Sequence, residues 1–291
     1  MIVKEYSNAD LFLKEYGAIL LEKEAAAQLL LYFAHQSLTG SGTGKELFGV
    51  VMEETRIVLL FVIIRGVDLI IHAAVTEREE EAASVLADYL GNSHITIEGL
   101  NAKQTLCQSF MKQYMQYRKV SFIQKVGTDI MELRQVNDIK PAAGSQRLAE
   151  PEDAKLVADW MIRYQIEALM DEADYEIALL RATQMINRKE LYLYEDEEQR
   201  AVSMAAATRR LIHGMGITYV FTPEEYRGKG YAAANLYYLS KTLMEQGFHF
   251  CTLYVDKKNL LTNRAYEKVG YKVIEDNYEY NIIPLLEEDG I

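Results

Sequence analysis

The chain has little cysteine, proline or tryptophan: two, four and one respectively in 291 residues. Cys107 and Cys251 lie far apart, in segments that read as helix and strand core, which excludes a disulfide framework and any zinc-ligand spacing; no metal is expected. Positive charge is also short, with 31 Lys and Arg against 43 Asp and Glu and a formal net charge of -12. Nucleic-acid binding needs a basic footprint to displace counterions, so no nucleic-acid partner is expected. An acidic surface suits a cationic or amine partner, and equally plain solubility. No long apolar run is uninterrupted. The most hydrophobic stretch, 57–75, is broken by Arg65, Gly66 and Asp68. Each ion at a membrane centre costs about 2.5–3.5 kcal/mol, so two strands and a turn fit better and no membrane partner is expected. Glu5, Asp10 and Glu15 interrupt the first 20 residues, against a signal peptide; a soluble, cytoplasmic protein is the expectation.

What is present is concentrated between Thr218 and Ala232, TYVFTPEEYRGKGYA: an apolar β-rich run, a polar turn, then Arg227-Gly228-Lys229-Gly230-Tyr231-Ala232. A loop that wraps a phosphate turns backbone N–H groups inward and needs small residues where the backbone meets the anion. Gly228 and Gly230 supply that room, and Arg227 and Lys229 add charge. Helical periodicity follows at once in Ala232, Leu236, Leu239, Leu243 and Met244, so the loop sits at a helix N-terminus, where the dipole favours an anion. A surface turn with two convenient glycines is the plainer reading of the hexapeptide alone.

Downstream comes a strand, Phe250–Val255, then Asp256–Tyr271, with Asn259 seven residues before Tyr266 and Val269-Gly270-Tyr271 closing a short helix. These two blocks resemble the acyl-CoA-binding motifs of the GNAT superfamily of N-acetyltransferases. Arg227, Gly230 and Ala232 fill the fixed positions of the first motif; Asn259, Tyr266, Gly270 and Tyr271 fill those of the second. Around them, Arg147–Ala149 reads as a strand, Ala154–Leu169 and Tyr175–Asn187 as amphipathic helices, and Leu191–Tyr194, Ala201–Thr208 and Ile217–Phe221 as strands. The resemblance implies a mixed α/β fold in the order β-α-α-β-β-β-loop-α-β-α-β over residues 146–291. The wording NLLTNRAYEKVGYK and the long N-terminal extension look most like the glycine N-acyltransferase-like branch.

The resemblance also implies a reaction: direct transfer of an acetyl group from acetyl-CoA, as cosubstrate, to a primary amine of a small molecule or peptide. Backbone donors at Val220 and Thr222, with Phe221 between them, would face the thioester and its oxyanion. Asn259 would hold the pantetheine arm, with Asn263 beside it; Arg227, Gly228, Lys229, Gly230, Tyr231 and Ala232 would hold the pyrophosphate. Tyr266 would donate to the departing thiolate, whose reference pKa is about 8.5 against about 10 for a phenol. The strand Ile217–Thr222 carries no carboxylate base. A lysine-like amine costs about 4.6 kcal/mol to deprotonate at neutral pH and an α-amine about 1 kcal/mol, which favours a low-pKa acceptor. Asp171, Glu172 and Asp174 are the other carboxylates considered for that role. The alternative is a non-catalytic acyl-CoA-binding or scaffold protein that keeps the fold. A homodimer is the assembly to test.

The length suits two domains, 1–140 and 146–291. In the first, Ala18–Leu21 and Ala25–Ala34 read as helix, and Phe48–Glu53, Ile57–Ile64 and Leu69–Val75 as strands. A helix Glu77–Leu90, a strand His94–Glu98, a helix Lys103–Arg118 and a strand pair, Ser121–Val126 and Asp129–Arg134, follow. From the strands onward this repeats the element order of the second half, as a degenerate, non-catalytic copy. Where the glycine loop would stand, Thr76–Glu81 offers four carboxylates and no glycine, which would repel a pyrophosphate. Gly40–Lys45 fails as a nucleotide loop, with Thr39 where glycine is required and Glu46 where Ser or Thr is. His35, His72, His94 and His213 are isolated and read as satisfied structural histidines.

Overall fold

Strand-forming runs such as Arg56–Ile64, apolar at nearly every position, cannot present a wet face and must be covered on both sides. The computed structural model describes residues 1–40, 42, 44, 46–64, 68–169 and 173–285. The chain divides into two units, Met1–Thr128 with Glu275–Ile291, and Asp129–Ile274.

The first unit contains β1 (Ile2–Tyr6), α1 (Ala9–Glu22), α2 (Gln28–Leu38), β2 (Glu46–Glu53), β3 (Arg56–Ile64) and β4 (Asp68–Ala73). It continues with α3 (Glu79–Gly91), β5 (Gly99–Ala102), α4 (Gln104–Tyr114) and the first part of β6 (Val120–Leu133). β1, β2, β3 and β4 pair antiparallel in that order, and β4 pairs β5 in parallel from Asp68↔Gly99 to Ile70↔Asn101. Asn8 caps α1 by accepting from the Asp10 and Leu11 amides. One sheet face packs on Leu86 and Leu90 of α3 and Leu106 and Phe110 of α4.

The second unit contains β7 (Ser145–Leu148), a 3-10 turn at Pro151–Asp153, α5 (Ala154–Tyr164), a π-helical turn at Gln165–Leu169 and α6 (Tyr175–Asn187). Then come β8 (Leu191–Glu195), β9 (Ala201–Arg210), β10 (Gly214–Phe221), α7 (Tyr231–Glu245), β11 (Phe250–Asp256), α8 (Leu260–Val269) and the start of β12 (Lys272–Pro284). β7, β8, β9 and β10 pair antiparallel and β10 pairs β11 in parallel. Each unit is thus a mixed α/β fold with the same element order, and the repeat reaches back to the first strand and both helices that follow it.

The last strand of each repeat departs from the expected boundaries. Residues 275–284 of β12 pair antiparallel with β5, Tyr278 opposite Ala102, and so belong with the first unit. Residues 129–133 of β6 lie beside β11, where Thr252 Oγ1 donates to the Met131 carbonyl at 3.0 Å. Each unit is closed by the strand that ends the other's repeat. A division at residues 140–146 misses this exchange, because periodicity reports that a segment is a strand and not which strand it joins.

Three local expectations also change. The fifth strand is Gly99–Ala102, not His94–Glu98. The expected pair 121–126 and 129–134 is one strand, β6, since Gly127 is no turn: a Cβ there would stand 2.8 Å from the Tyr278 ring. His72 is no satisfied histidine, because its buried Nε2 has no hydrogen-bond partner among the described residues. Cys107 and Cys251 are free and buried, and burial pushes both thiols up to about 12. Parts of the 40–45 loop, including Ser41, Thr43 and Lys45, lie outside the described residues, as do Arg65 and Gly66. Among the described residues no helix is long and apolar enough to cross a membrane.

Candidate active site

The second unit's parallel pair does not run its full length. β10 and β11 are in register only from Gly214↔Phe250 to Gly216↔Thr252, although β10 continues to Phe221 and β11 to Asp256. On the other side of β10 a bulge sets in, with Thr218 opposite Ala206 and Phe221 opposite Met204, so two residues face one. Tyr219 takes up that excess with a φ of 51°, a left-handed conformation uncommon for a non-glycine residue. The bulge bends β10 just where its pairing with β11 ends. The backbone around Val220 is therefore outside both ladders, which suits it to meet a ligand.

At the open end of β10 stands the glycine loop. Gly228 and Gly230 have φ of 80° and 83°, and Gly230 is the N-cap of α7, with no side-chain cap. A Cβ at Gly228 would meet nothing within 4 Å and one at Gly230 only Ala142, 3.8 Å away. The left-handed backbone, not crowding, is what demands glycine here. The first intrahelical bond comes from the Ala234 amide to the Gly230 carbonyl at 3.0 Å, so the preceding amides of Tyr231 and Ala232 are helix-end donors. Lys229 is exposed at this end.

Arg227 is held elsewhere than expected. Its Nε donates to the Thr222 carbonyl at 2.9 Å, its Nη2 forms an ion pair with Glu167, and its guanidinium lies 5.7 Å from the Phe221 ring centroid. Arg163 donates bidentately to Glu225, at 3.2 and 3.0 Å, and lies over the same Phe221 ring. Glu167 belongs to the π-helical turn Gln165–Leu169, a local widening often found at functional sites. Neither Glu167 nor Arg163 was visible in the sequence as part of the site. The signal would have been a helix running past its hydrophobic stripe toward an aromatic face.

From the other side, Tyr266 of α8 is buried, 6.3 Å from the Tyr271 ring centroid. Burial, with Tyr164 nearby, pushes its phenol well above the ordinary range, so it stays protonated and can only donate from that proton. Tyr164 stacks at a tilt on Tyr219, 5.5 Å between centroids, and edge-on to Phe221 at 6.3 Å. Asn259 is the N-cap of α8, its Oδ1 accepting from the Thr262 amide at 3.2 Å, which leaves both hydrogens of Nδ2 to donate to a ligand. Among the described residues of this unit two buried polar atoms have no hydrogen-bond partner, Thr222 Oγ1 and Asn263 Oδ1. Such atoms are costly in a finished interior and are reasons to expect a polar ligand between them. The residues present therefore fit an acyl-CoA, with one reservation, the commitment of Arg227 to Glu167.

Of the carboxylates considered as a base, Asp171 and Glu172 lie outside the described residues. Asp174 is the N-cap of α6, its Oδ1 accepting from the Ile177 amide at 3.0 Å. Among the described residues no group of three or more metal-ligating side chains gathers.

Comparison with known proteins agrees with this geometry. Residues 155–271 match the model of the acetyltransferase (GNAT) family, a span holding the bulge, the glycine loop and Tyr266. No curated protein matches the chain. Among solved structures, a Drosophila protein is similar at 11% identity with a TM-score of 0.66, covering 97% of this chain and 99% of its own. An acetyltransferase of the GNAT family from Colwellia psychrerythraea is similar at 12% identity and a TM-score of 0.55, covering 97% of this chain and 100% of its own. A GCN5-related N-acetyltransferase from Sphaerobacter thermophilus is similar at 15% identity and a TM-score of 0.55, covering 96% and 94%. At these identities the neighbours establish the fold across both units. The family match supports acyl transfer from an acyl-CoA.

Proposed function

We propose that the unit Asp129–Ile274 is an N-acetyltransferase that moves an acetyl group from acetyl-CoA to a primary amine of a small molecule or peptide. One observation carries the reading: a left-handed glycine loop at the start of α7 opens onto the splayed end of β10 and β11, with Tyr266 buried on the far side. When bound, acyl-CoA supplies an activated carbonyl and a thiolate leaving group. The loop and the first-turn amides of α7 hold the pyrophosphate, with Lys229 at the rim. Thr222 Oγ1, Asn263 Oδ1 and Asn259 Nδ2 take the polar groups of the pantetheine arm, which pairs two buried atoms otherwise left over. Backbone N–H groups of Val220 and Thr222 polarise the acyl carbonyl. Tyr266 gives a hydrogen bond or proton to sulfur, consistent with a phenol that burial keeps protonated.

β10 offers no carboxylate to take the amine proton, which supports an acceptor with a low-pKa amine whose proton leaves through water. The likeness to glycine N-acyltransferase-like proteins rests on the wording around α8 and on the long N-terminal extension. A non-catalytic acyl-CoA-binding or scaffold protein is the alternative; the engagement of Arg227 with Glu167 withdraws a cation from the pyrophosphate and so favours its scaffold form. An amine panel incubated with acetyl-CoA, read by free thiol and by product mass, tests the choice. Acetylation of any amine, abolished on removing the glycine loop's backbone geometry, supports the enzyme. Tight acetyl-CoA binding with no thiol release across α-amines, aryl amines and lysyl peptides would establish the alternative.

A further inference from the structure

The first unit's parallel pair also stops before the end of β4, and the side chains beyond it are polar and mostly buried. β4 and β5 are in register only to Ile70↔Asn101, and β12 lies on the other side of β5 with Glu279 opposite Asn101. Paired residues share a sheet face and the face recurs every second residue, so His72, Lys103, Asn277 and Glu275 all stand on the face of Ile70 and Asn101. Lys103 keeps an extended backbone beyond β5, as the N-cap of α4, so the alternation holds there. These residues gather at the carboxyl ends of the parallel strands, where open α/β sheets take their ligands.

The chemistry of the cluster is that of a receiving site. Its floor is His72 and Asn277, each only 5% exposed, and both His72 Nε2 and Asn277 Nδ2 have no hydrogen-bond partner among the described residues. The Asn277 carbonyl is satisfied by Thr128 Oγ1 at 3.3 Å, so the residue is not misplaced as a whole. Its rim is Lys103, ion-paired with the buried Glu79, the half-buried Glu275 and the exposed Lys23 between α1 and α2. Thr105 Oγ1 donates to the other Glu79 oxygen at 3.4 Å. Lys23 and Lys103 are the charges that act on His72, and for Glu275 the same two lysines outweigh Asp276 and Glu79. Two lysines stand here against Glu79 and Glu275, a balance of charge in a chain whose net charge is -12.

We propose that this face of the first unit binds a small carboxylate, held by Asn277 Nδ2, His72 Nε2 and Lys103 Nζ. The bound anion pairs two of the buried atoms that the fold leaves over, His72 Nε2 and Asn277 Nδ2. The site takes no acyl-CoA, since the corner before α3 has no glycine and its carboxylates are engaged by Arg56, Arg78 and Lys103. It stands apart from the transfer reaction and does not depend on it.

The test uses the full chain, labelled with nitrogen-15 at histidine, with and without CoA, titrated with acetate, succinate and glutamate. His72 is assigned by the signals lost in His72→Gln. At least one carboxylate should shift the His72 ring signals saturably, where sodium chloride at equal ionic strength does not. Asn277→Leu and Lys103→Met should each weaken that binding by about ten- to a hundredfold, the loss of one hydrogen bond or charge at a charged ligand. Should Lys103→Met fail to fold, Asn277→Leu and the unmodified chain decide. No saturable shift at millimolar concentration of any of the three would overturn the proposal. So would equal shifts with chloride, or a shift indifferent to Asn277→Leu.

Discussion

The corners that precede α3 and α7 occupy the same place in two repeats of one element order, and they keep the same backbone. Arg78 caps α3 with a φ of 60° and Gly230 caps α7 with a φ of 83°, neither with a side-chain cap. What differs is what the backbone is surrounded by. Before α7 the loop is glycine, lysine and open space. Before α3 it is ion pairs: Arg78 with Glu81 and Glu53, Glu77 with Arg56, and Glu79 with Lys103. A left-handed cap is thus a property of the fold, and anion binding is a property added by the residues around it.

The largest test of that distinction is Gly230→Glu. A carboxylate and a Cβ at a φ of 83° strain the loop and set like charge against a phosphate, so acetyl-CoA affinity should fall by at least about a hundredfold. Calorimetry on the full chain should find one acetyl-CoA per chain before the substitution and none after. A second, intact binding event would mean that the α3 corner binds as well, and the contrast between the corners would collapse.

Next in size is Tyr266→Phe, which removes one hydroxyl from a buried ring and leaves the packing against Tyr271. Turnover should fall by about ten- to a few hundredfold while acetyl-CoA affinity holds, the span expected of a general acid assisting a fair leaving group. Equal losses in both would make Tyr266 a packing residue, and the second unit would then resemble the first more closely than its loop suggests.

Acid should separate the units by His72. Burial, with Lys23 and Lys103 nearby, holds its pKa down to about 3 against the ordinary 6.5. Unfolding lets it take a proton that the folded chain refuses, so stability falls as pH drops from about 6.5 toward 3 and is regained on the way up. Between about pH 7 and pH 5 this amounts to about 2 kcal/mol. Glu275, whose carboxyl burial pushes up from its ordinary value, acts from that value upward and with the opposite sign, the folded state holding its proton longer. His72→Gln should flatten the fall of melting temperature between those two pH values by about 4–8 °C. An unchanged slope would mean that His72 is not shielded as its burial implies.

How far these sites could be read from sequence depends on whether the signal was local. α6 was legible to the residue, Tyr175–Asn187, since its periodicity lies within the helix and its cap, Asp174, stands directly before it. The glycine loop and the Asn259–Tyr271 block were legible because a left-handed cap and a helix start leave residue types behind. The strand exchange was not: β6 and β12 look alike in pattern, and partner choice is a long-range property. β1 was missed for its charges, Lys4 and Glu5, which an edge strand tolerates. Glu167 was hidden by the π-helical turn, which shifts the helix face by one residue and escapes a 3.6-residue count.

That ion pair gives a smaller test. Glu167 and Arg227 are both part-exposed, so freeing the guanidinium with Glu167→Gln is worth no more than about 1 kcal/mol. If Arg227 then turns to the pyrophosphate, acetyl-CoA affinity should rise by about two- to fivefold, most visibly at low salt. An unaltered affinity would leave Arg227 as a brace for Phe221 and Thr222, with the loop amides and Lys229 doing the binding.

The smallest effect expected is also the sharpest statement about the first unit. Arg78→Gly relieves a left-handed side-chain residue, worth about 1–2 kcal/mol. Against this, glycine adds about 0.5–1 kcal/mol of unfolded-chain entropy, and the solvent-exposed pairs with Glu53 and Glu81 are lost at little cost. The contributions nearly cancel, so the melting temperature should move by no more than about 4 °C in either direction. Acetyl-CoA stoichiometry should stay at one, because the glycine restores the backbone but not the surroundings: Glu79, Glu80 and Glu81 still open α3. A second acetyl-CoA bound by Arg78→Gly would show that a single side chain, not the set of carboxylates, closed that corner.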